Sequence, residues 1–323
     1  MTGTSMDGID ISLVRTNGIK LKKLHQNYYY SYSNKIKDFL LSVLNSDLTD
    51  NLNRKEYLDD IITKEHYQAL KNSNFIGNAD LIGFHGQTIF HNPHNKISIQ
   101  LGKPKKLAKM LNKNVVFDFR SKDIEMGGQG APLAPIYHKF MIDKLNLELP
   151  SGILNIGGVA NLTYYENNTL IGFDTGPGNA LMDNYMKLNF NEYFDKDGLL
   201  ASYGEPNKNI VEEFLKLDFF KKLPPKSLDR NSFIDFYNEL LKKKLSRRNT
   251  MATIAELTIE SIIIGLDLLP KKLKNILITG GGCRNKYLMK SLKNRLDINF
   301  LNENHLDYNF DYIESELIAY LSA

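Results

Sequence analysis

The sequence predicts a two-domain α/β protein, and three observations carry that reading. A chain of 323 residues is long enough for two sizeable cores. The arrangement loop, strand, turn, strand occurs twice, after residue 1 and again after Ser151, a weak duplication of architecture rather than of identical residues. Towards the C-terminus, Ile276-Leu277-Ile278-Thr279 reads as a strand running through glycines into a helix from Lys286, an order suited by its mechanism to nucleotide binding. The break falls before Leu149-Pro150. It gives a first domain over 1–149 and a second over 150–310, with a last helix over 311–323 that can return to the first.

Composition narrows the class. Hydrophobic residues make up 42% of the chain and charged residues 24%, the balance of a globular protein. The net charge of +4 is small and spread along the chain, which argues against nucleic acid or membrane partners. A single cysteine, Cys283, excludes an intrachain disulfide and fits a reducing compartment, so the expected location is the cytoplasm. No apolar run approaches the roughly 20 residues of a spanning helix, and no signal-peptide pattern is present.

In the first domain, Met1-Thr2-Gly3-Thr4-Ser5-Met6-Asp7-Gly8 is a loop of small donors with one carboxylate. Such a loop can bind phosphate and a phosphate-bound Mg²⁺, which prefers one or two carboxylates plus water. A disordered start is the alternative. Loops of this kind usually join two strands, and here the first of them would have to precede residue 1. Residues 9–14 alternate like a strand and 28–32 resemble another; 35–44 and 57–71 have helical spacing. Asp80 to Phe84 reads as a strand running into His85-Gly86-Gln87-Thr88, polar side chains where α/β sheets place ligand contacts. His91 and His94 have the spacing of metal ligands but read as a solvated loop, with Pro93 between them and no Cys or Glu nearby. Residues 115–120 form a strand ending in Arg120. Asp123 and a glycine-rich turn follow, a set suited to a carboxylate-bearing small molecule or, more simply, to an Arg–Asp pair tying a loop. A helix from Pro135 to Lys144 closes this domain.

The second domain opens with ILNIGGVANLTYYENNTLIGF, three β-rich runs broken by Gly-Gly and Asn-Asn turns. It leads to the central stretch GFDTGPGN, where Asp174 stands at a strand end ahead of Gly176, Pro177 and Gly178. Glycines let backbone N–H groups approach an anion, and the helix starting at Ala180 favours one too. A carboxylate beside an anion cradle suits phosphoryl transfer; the alternative is an Asp that caps the helix or closes a turn. Residues 193–234 read as a long irregular region in which Lys226, Ser227 and Arg230 could bind ligand, although Pro224 and Pro225 favour a solvated turn. A helix covers 250–269. Gly280-Gly281-Gly282-Cys283-Arg284-Asn285 is neither GxGxxG nor a Walker A sequence, and Cys283 reads as packed rather than reactive. In the last helix, Glu314 and Glu316 suit the helix dipole.

Taken in order, GTSMDGID, HGQTIFHNP, FDFRSKDIEMGGQGAPLAP, LNIGGVANLT, GFDTGPGNALMD, PPKS, MATIAELT and GGGCRN resemble the anhydro-N-acetylmuramic acid kinase family over nearly the whole chain. The resemblance implies the fold of actin, Hsp70 and sugar kinases, two α/β domains with an interdomain nucleotide cleft. It also implies the reaction: ATP phosphorylates O6 of 1,6-anhydro-N-acetylmuramic acid while water opens the anhydro bridge, giving N-acetylmuramic acid 6-phosphate and ADP in bacterial peptidoglycan recycling. On this pattern Asp174 matches the catalytic acid. Gly3, Thr4, Ser5, Met6, Asp7, Gly8, Ile9 and Asp10 form the first ATP loop, with Asp7 near Mg²⁺. Asn155, Gly157, Gly158 and Asn161 form the second phosphate hairpin, and Gly280, Gly281, Gly282 and Asn285 hold the adenosine end. Gln87, Arg120 and Glu314 are expected to meet the sugar, Arg120 through its lactyl carboxylate. The partner is a small amino sugar, and a homodimer is compatible with the sequence. The family has a strand ahead of the first loop, and more often Thr-Gly where this chain has Leu228-Asp229. The rival readings are an ordinary sugar kinase of the same fold and a non-catalytic ATP-binding module.

Overall fold

Alternation in the first segment produces a hairpin, β1 (Gly8–Thr16) antiparallel to β2 (Leu21–Ser31), registered from Gly8 opposite Ser31 to Thr16 opposite Leu21. Gly8 is required there, because an added Cβ would lie 2.4 Å from the Tyr30 carbonyl. The computed structural model describes residues 1–2, 8–45, 52, 54–92, 95–228, 232–301 and 310–323. It divides into two units, Met1–Leu133 with Asp311–Ala323, and Ala134–Phe310.

In the first unit, α1 (Asn34–Asn45) and α2 (Lys55–Ser73) bury Leu40, Leu58 and Ile62 with Ile9 of β1 in one core. β3 (Leu81–Phe84) leads into β4 (Gln87–Asn92), which pairs antiparallel with β5 (Ile97–Leu101). α3 (Pro104–Leu111), with proline in its first turn, returns the chain to β6 (Asn114–Phe117), parallel to β3. A short helix α4 (Ser121–Glu125) follows. The C-terminal helix Ile313–Leu321 packs on β1 and β3, close enough that a Cβ on Gly83 would lie 2.3 Å from Ser322 Oγ.

The second unit holds α5 (Ala134–Lys144) and a five-stranded sheet ordered β11-β10-β7-β8-β9. β7 (Ser151–Ile156), β8 (Val159–Glu166) and β9 (Thr169–Pro177) form an antiparallel meander, followed by α6 (Ala180–Phe190). After α7 (Arg247–Asp267), β10 (Asn275–Thr279) joins parallel to β7; α8 (Lys286–Arg295) then leads to β11 (Asn299–Leu301), parallel to β10. Ile153, Leu154, Ile276, Leu277 and Ile278 are all fully buried, the near-continuous apolar run of strands covered on both faces. α7 reaches β9 closely: a Cβ on Gly176 would lie 2.3 Å from Ser261 Cβ, and one on Gly265 2.6 Å from Thr175 Cγ2.

Three expectations change. α5, read as the end of the first domain, packs on β7, β8 and β9, and its buried His138 shares a hydrogen bond with Thr163 Oγ1 (2.8 Å). Residues 193–234 contain three short helices, Leu199–Ser202, Lys208–Leu215 and Asp218–Lys221. Their apolar residues meet in an aromatic cluster in which Phe214 lies 4.9–5.0 Å from Phe220, Phe233 and Phe236, so interlocking rings rather than a regular period hold the segment. Finally, α7 is by length and composition long and apolar enough to cross a membrane; 72% of its most apolar window is buried inside the protein, as in a core helix.

Candidate active site

Sheet register gathers the polar groups of the second unit. Thr279 on β10 stands opposite Asn155 on β7, Asn155 opposite Asn161 on β8, and Asn161 opposite Asp174 on β9. Directly opposed residues share a face, so these four form one polar row across four adjacent strands. With strands about 4.8 Å apart, Asp174 lies roughly 10 Å from Asn155. Thr279 Oγ1 donates to Asn155 Oδ1 (3.4 Å). The β8–β9 register slips between Ala160 and Asn161, leaving Thr175 as an extra residue beside Asp174, and such a bulge re-aims the neighbouring side chain.

Asp174 neither caps a helix nor closes a turn. It sits within β9, six residues ahead of α6. Its N–H donates to the Lys226 carbonyl (2.9 Å), and its Oδ2 accepts from the Leu228 N–H (2.7 Å). Burial pushes its carboxyl up from 3.8 to about 6, with the Leu228 hydrogen bond opposing. The Lys226–Leu228 segment, expected as a solvated turn, is therefore part of the site, and Lys226 is itself buried. Sequence reasoning had one usable signal for it, the PPKS block. Arg230 and Asp229 lie outside the described residues.

The glycine turns border the polar row. Gly178 N–H donates to Gly158 O (3.0 Å) and Asn179 N–H to Gly157 O (2.7 Å), while Asn179 Nδ2 donates to Ile156 O (3.0 Å). These bonds fasten the start of α6 to the β7–β8 turn. Thr258 Oγ1, from α7, holds the Gly178 carbonyl (2.9 Å). Some glycines are dictated by packing: a Cβ on Gly178 would lie 2.2 Å from Gly157 O, one on Gly282 2.3 Å from Ile156 Cγ2, and Gly280 has φ +79°. Gly157, Gly158 and Gly281 are different. A Cβ on any of them would meet nothing nearer than 3.6 Å, and none has a left-handed φ. Neither packing nor backbone conformation demands glycine there, whereas a ligand approaching the backbone would. Asn285 caps α8, its side chain accepting from Leu288 N–H (3.1 Å), so its oxygen is committed to the helix.

In the first unit, Gly3, Thr4, Ser5, Met6 and Asp7 lie outside the described residues. Gly8, Ile9 and Asp10, expected in the loop, belong to β1; Ile9 is buried, and Ile9 and Asp10 line a cavity of about 400 Å³ between β1 and β3. β6 ends at Phe117, and Arg120 lies beyond it at the head of α4. Arg120 Nε and Nη2 lie 3.2 and 3.0 Å from His85 Nε2, and Nη1 donates to the Gly130 carbonyl (2.8 Å). His85 Nδ1 lies 2.9 Å from the Gly86 carbonyl, which only accepts, so the proton is on Nδ1 and Nε2 receives the guanidinium. Burial, aided by the Arg120 charge, pushes His85 down to about 3 and keeps it neutral. Asp123 binds the same loop through Gly130 N–H (2.7 Å). Arg120 and Asp123 thus tie the glycine-rich turn through its backbone, and donors on Nη1 and Nη2 remain for an anion. Glu314 is exposed; desolvation raises its carboxyl, and the charges of the N-terminal amine and then of Arg120 oppose this. Gln87 is buried and its amide donates to Thr88 O (3.3 Å), which turns that group inward rather than toward solvent. His91 lies on β4, its Nδ1 2.9 Å from Ser98 Oγ, and His94 is outside the described residues.

The family described as anhydro-N-acetylmuramic acid kinase matches residues 1–323. Proteins of that name from Rhodopseudomonas palustris and Zymomonas mobilis are each 37% identical to this chain, covering 100% of it and 90% of their own length. The one from Pelagibacter ubique is 36% identical over 100% of this chain and 89% of its own. Among solved structures, a xylulose kinase from Lactobacillus acidophilus aligns at 12% identity and TM-score 0.37 over 67% of this chain and 45% of that one, too distant to carry an argument.

Proposed function

The chain belongs to the anhydro-N-acetylmuramic acid kinase family, and on that premise we propose that Asp174 is the general base of an ATP-dependent opening and phosphorylation of 1,6-anhydro-N-acetylmuramic acid. The chain is an α/β sugar kinase of the actin and Hsp70 type that gives N-acetylmuramic acid 6-phosphate and ADP in bacterial peptidoglycan recycling. Asp174 takes a proton from the water that attacks C1. The C1–O6 bond breaks, O6 forms its bond to the γ-phosphorus, and ADP leaves. This is the base half of an inverting glycoside hydrolysis, with the phosphoryl group in the place of the acid's proton. The observation that carries it is the half-buried carboxylate at the end of a polar row, bordered by three glycines that no packing requires.

Asn155, Gly157, Gly158 and Asn161 would hold phosphate through backbone N–H groups, and Gly280 to Gly282 the adenosine side. The loop residues Gly3, Thr4, Ser5, Met6 and Asp7 would complete the phosphate contacts, since Gly8 to Asp10 belong to β1. In the first unit, Arg120, oriented by neutral His85, would take the lactyl carboxylate, with Glu314 on sugar hydroxyls. Mg²⁺ on the ATP phosphates would neutralise charge and ask for only one or two protein carboxylates; Asp7 is the candidate. The reaction needs cytoplasmic ATP, and a homodimer is compatible with it.

Incubation with ATP and the anhydro sugar in ¹⁸O-water tests the reaction. Label at C1 of the product is expected; unlabelled product means simple transfer to a free hydroxyl. The pH profile tests the base. Because burial raises Asp174 to about 6, kcat should be level above that pH and fall about tenfold per unit below it. An acid limb near 4 would mean that a solvated carboxylate does the work.

A further inference from the structure

Resting on the kinase reading above, we propose that Lys226 is a positioning residue for the Asp174 carboxylate, acting through the loop 226–228 without touching substrate. The loop grips Asp174 from two sides, at its N–H through the Lys226 carbonyl (2.9 Å) and at Oδ2 through the Leu228 N–H (2.7 Å). The lysine side chain anchors the loop in turn. Lys226 is only 8% exposed; its Nζ donates to the Phe219 carbonyl (3.3 Å) and sits 4.4 Å over the Phe219 ring. A lysine this buried is rare without a partner, and a desolvated cation over an aromatic face is held more firmly than an exposed one. Phe219 is fixed by Phe220 and Phe233, with ring centres 5.3 and 5.9 Å away. The chain of contacts therefore runs from the aromatic cluster through the ammonium and the loop backbone to the carboxylate.

Two consequences distinguish positioning from bulk stability. The ammonium is engaged by Phe219, so its removal should leave substrate binding alone while letting the carboxylate wander, and misplacement of about 1 Å lowers turnover strongly. The Leu228 N–H also lowers the Asp174 carboxyl, so a slackened loop should raise it further. The experiment compares the full-length protein with Lys226→Met and Lys226→Arg, measuring kcat, KM for ATP and for the anhydro sugar, and the acid limb of kcat, with rates scaled to the folded fraction from circular dichroism. Lys226→Met is expected to lower kcat about tenfold or more with both KM values within about twofold, and to move the acid limb to higher pH. Lys226→Arg keeps a cation over the ring and should recover most of kcat. Should Lys226→Met fail to fold, Phe219→Leu, which removes the ring face and keeps apolar volume, should move the limb in the same direction. An unchanged limb and kcat would overturn the proposal, as would a raised KM for ATP at unchanged kcat, which would put the ammonium on phosphate. Wild-type turnover is the control: its absence refutes the kinase reading, whereas turnover with unmoved variants refutes the role of Lys226 alone.

Discussion

Asp174→Asn is expected to lower kcat by at least ~10²-fold while leaving ATP affinity within about twofold and making the protein more stable. The loss follows because an amide cannot accept the proton of the attacking water. The amide oxygen can still receive the Leu228 N–H, so the loop keeps its grip and the neighbouring phosphate turns stay in place. The gain in stability has its own sign. The folded carboxyl titrates near 6 against 3.8 for the free group, so its stabilising contribution is complete below the unfolded value and is lost as pH rises through 6. At pH 7.5 the partly desolvated charge costs the fold up to about 3 kcal/mol, which the neutral amide relieves. Thermal unfolding of the two proteins at pH 7.5 and pH 4 checks this: the variant should gain at pH 7.5 and lose that advantage at pH 4. Equal stability at both pH values, or retained turnover, would mean that the carboxylate is neither strained nor catalytic.

The second large effect comes from comparing two glycines by what surrounds them. Gly281→Ala should fold normally, since its Cβ would sit 3.6 Å from the nearest group, Asn179 Nδ2. The methyl would instead occupy the space left for nucleotide. Adenosine pushed back by a methyl group loses contacts worth about 1.4 kcal/mol or more, so KM for ATP should rise roughly tenfold or more. Gly178→Ala puts a Cβ 2.2 Å from the Gly157 carbonyl, and backbone must move to admit it. It should cost about 1–3 kcal/mol in urea unfolding and weaken ATP through the displaced turn. If Gly281→Ala binds ATP as well as the parent, the open space beside that glycine is not a ligand site.

Much of the site was legible because backbone chemistry marks it locally. Glycine pairs after short apolar runs announce turns, and Asp174 at a strand end stands out among apolar neighbours. The Lys226–Leu228 clamp was not legible, since a backbone N–H carries no residue signature and the contact spans 54 positions. His85 was visible as a polar residue at a strand end, but its service to Arg120 across 35 positions was not. The aromatic cluster around Phe214 hid for a related reason: its rings come from short helical turns too brief to set up a period.

By itself the sequence determined the α/β class, most of the strands and the longest helices, the family, and the glycine turns with their carboxylate, because each depends on residues near one another in the chain. Only the tertiary structure decided that α5 packs with the second unit, that Ile9 is core, that Asn285 is spent on a helix cap, and that Asp174 is half-buried and gripped by a distant loop. Those outcomes turn on desolvation and on which backbone groups meet across the fold. Both are properties of the packed surroundings, and a residue's own chemistry does not contain them.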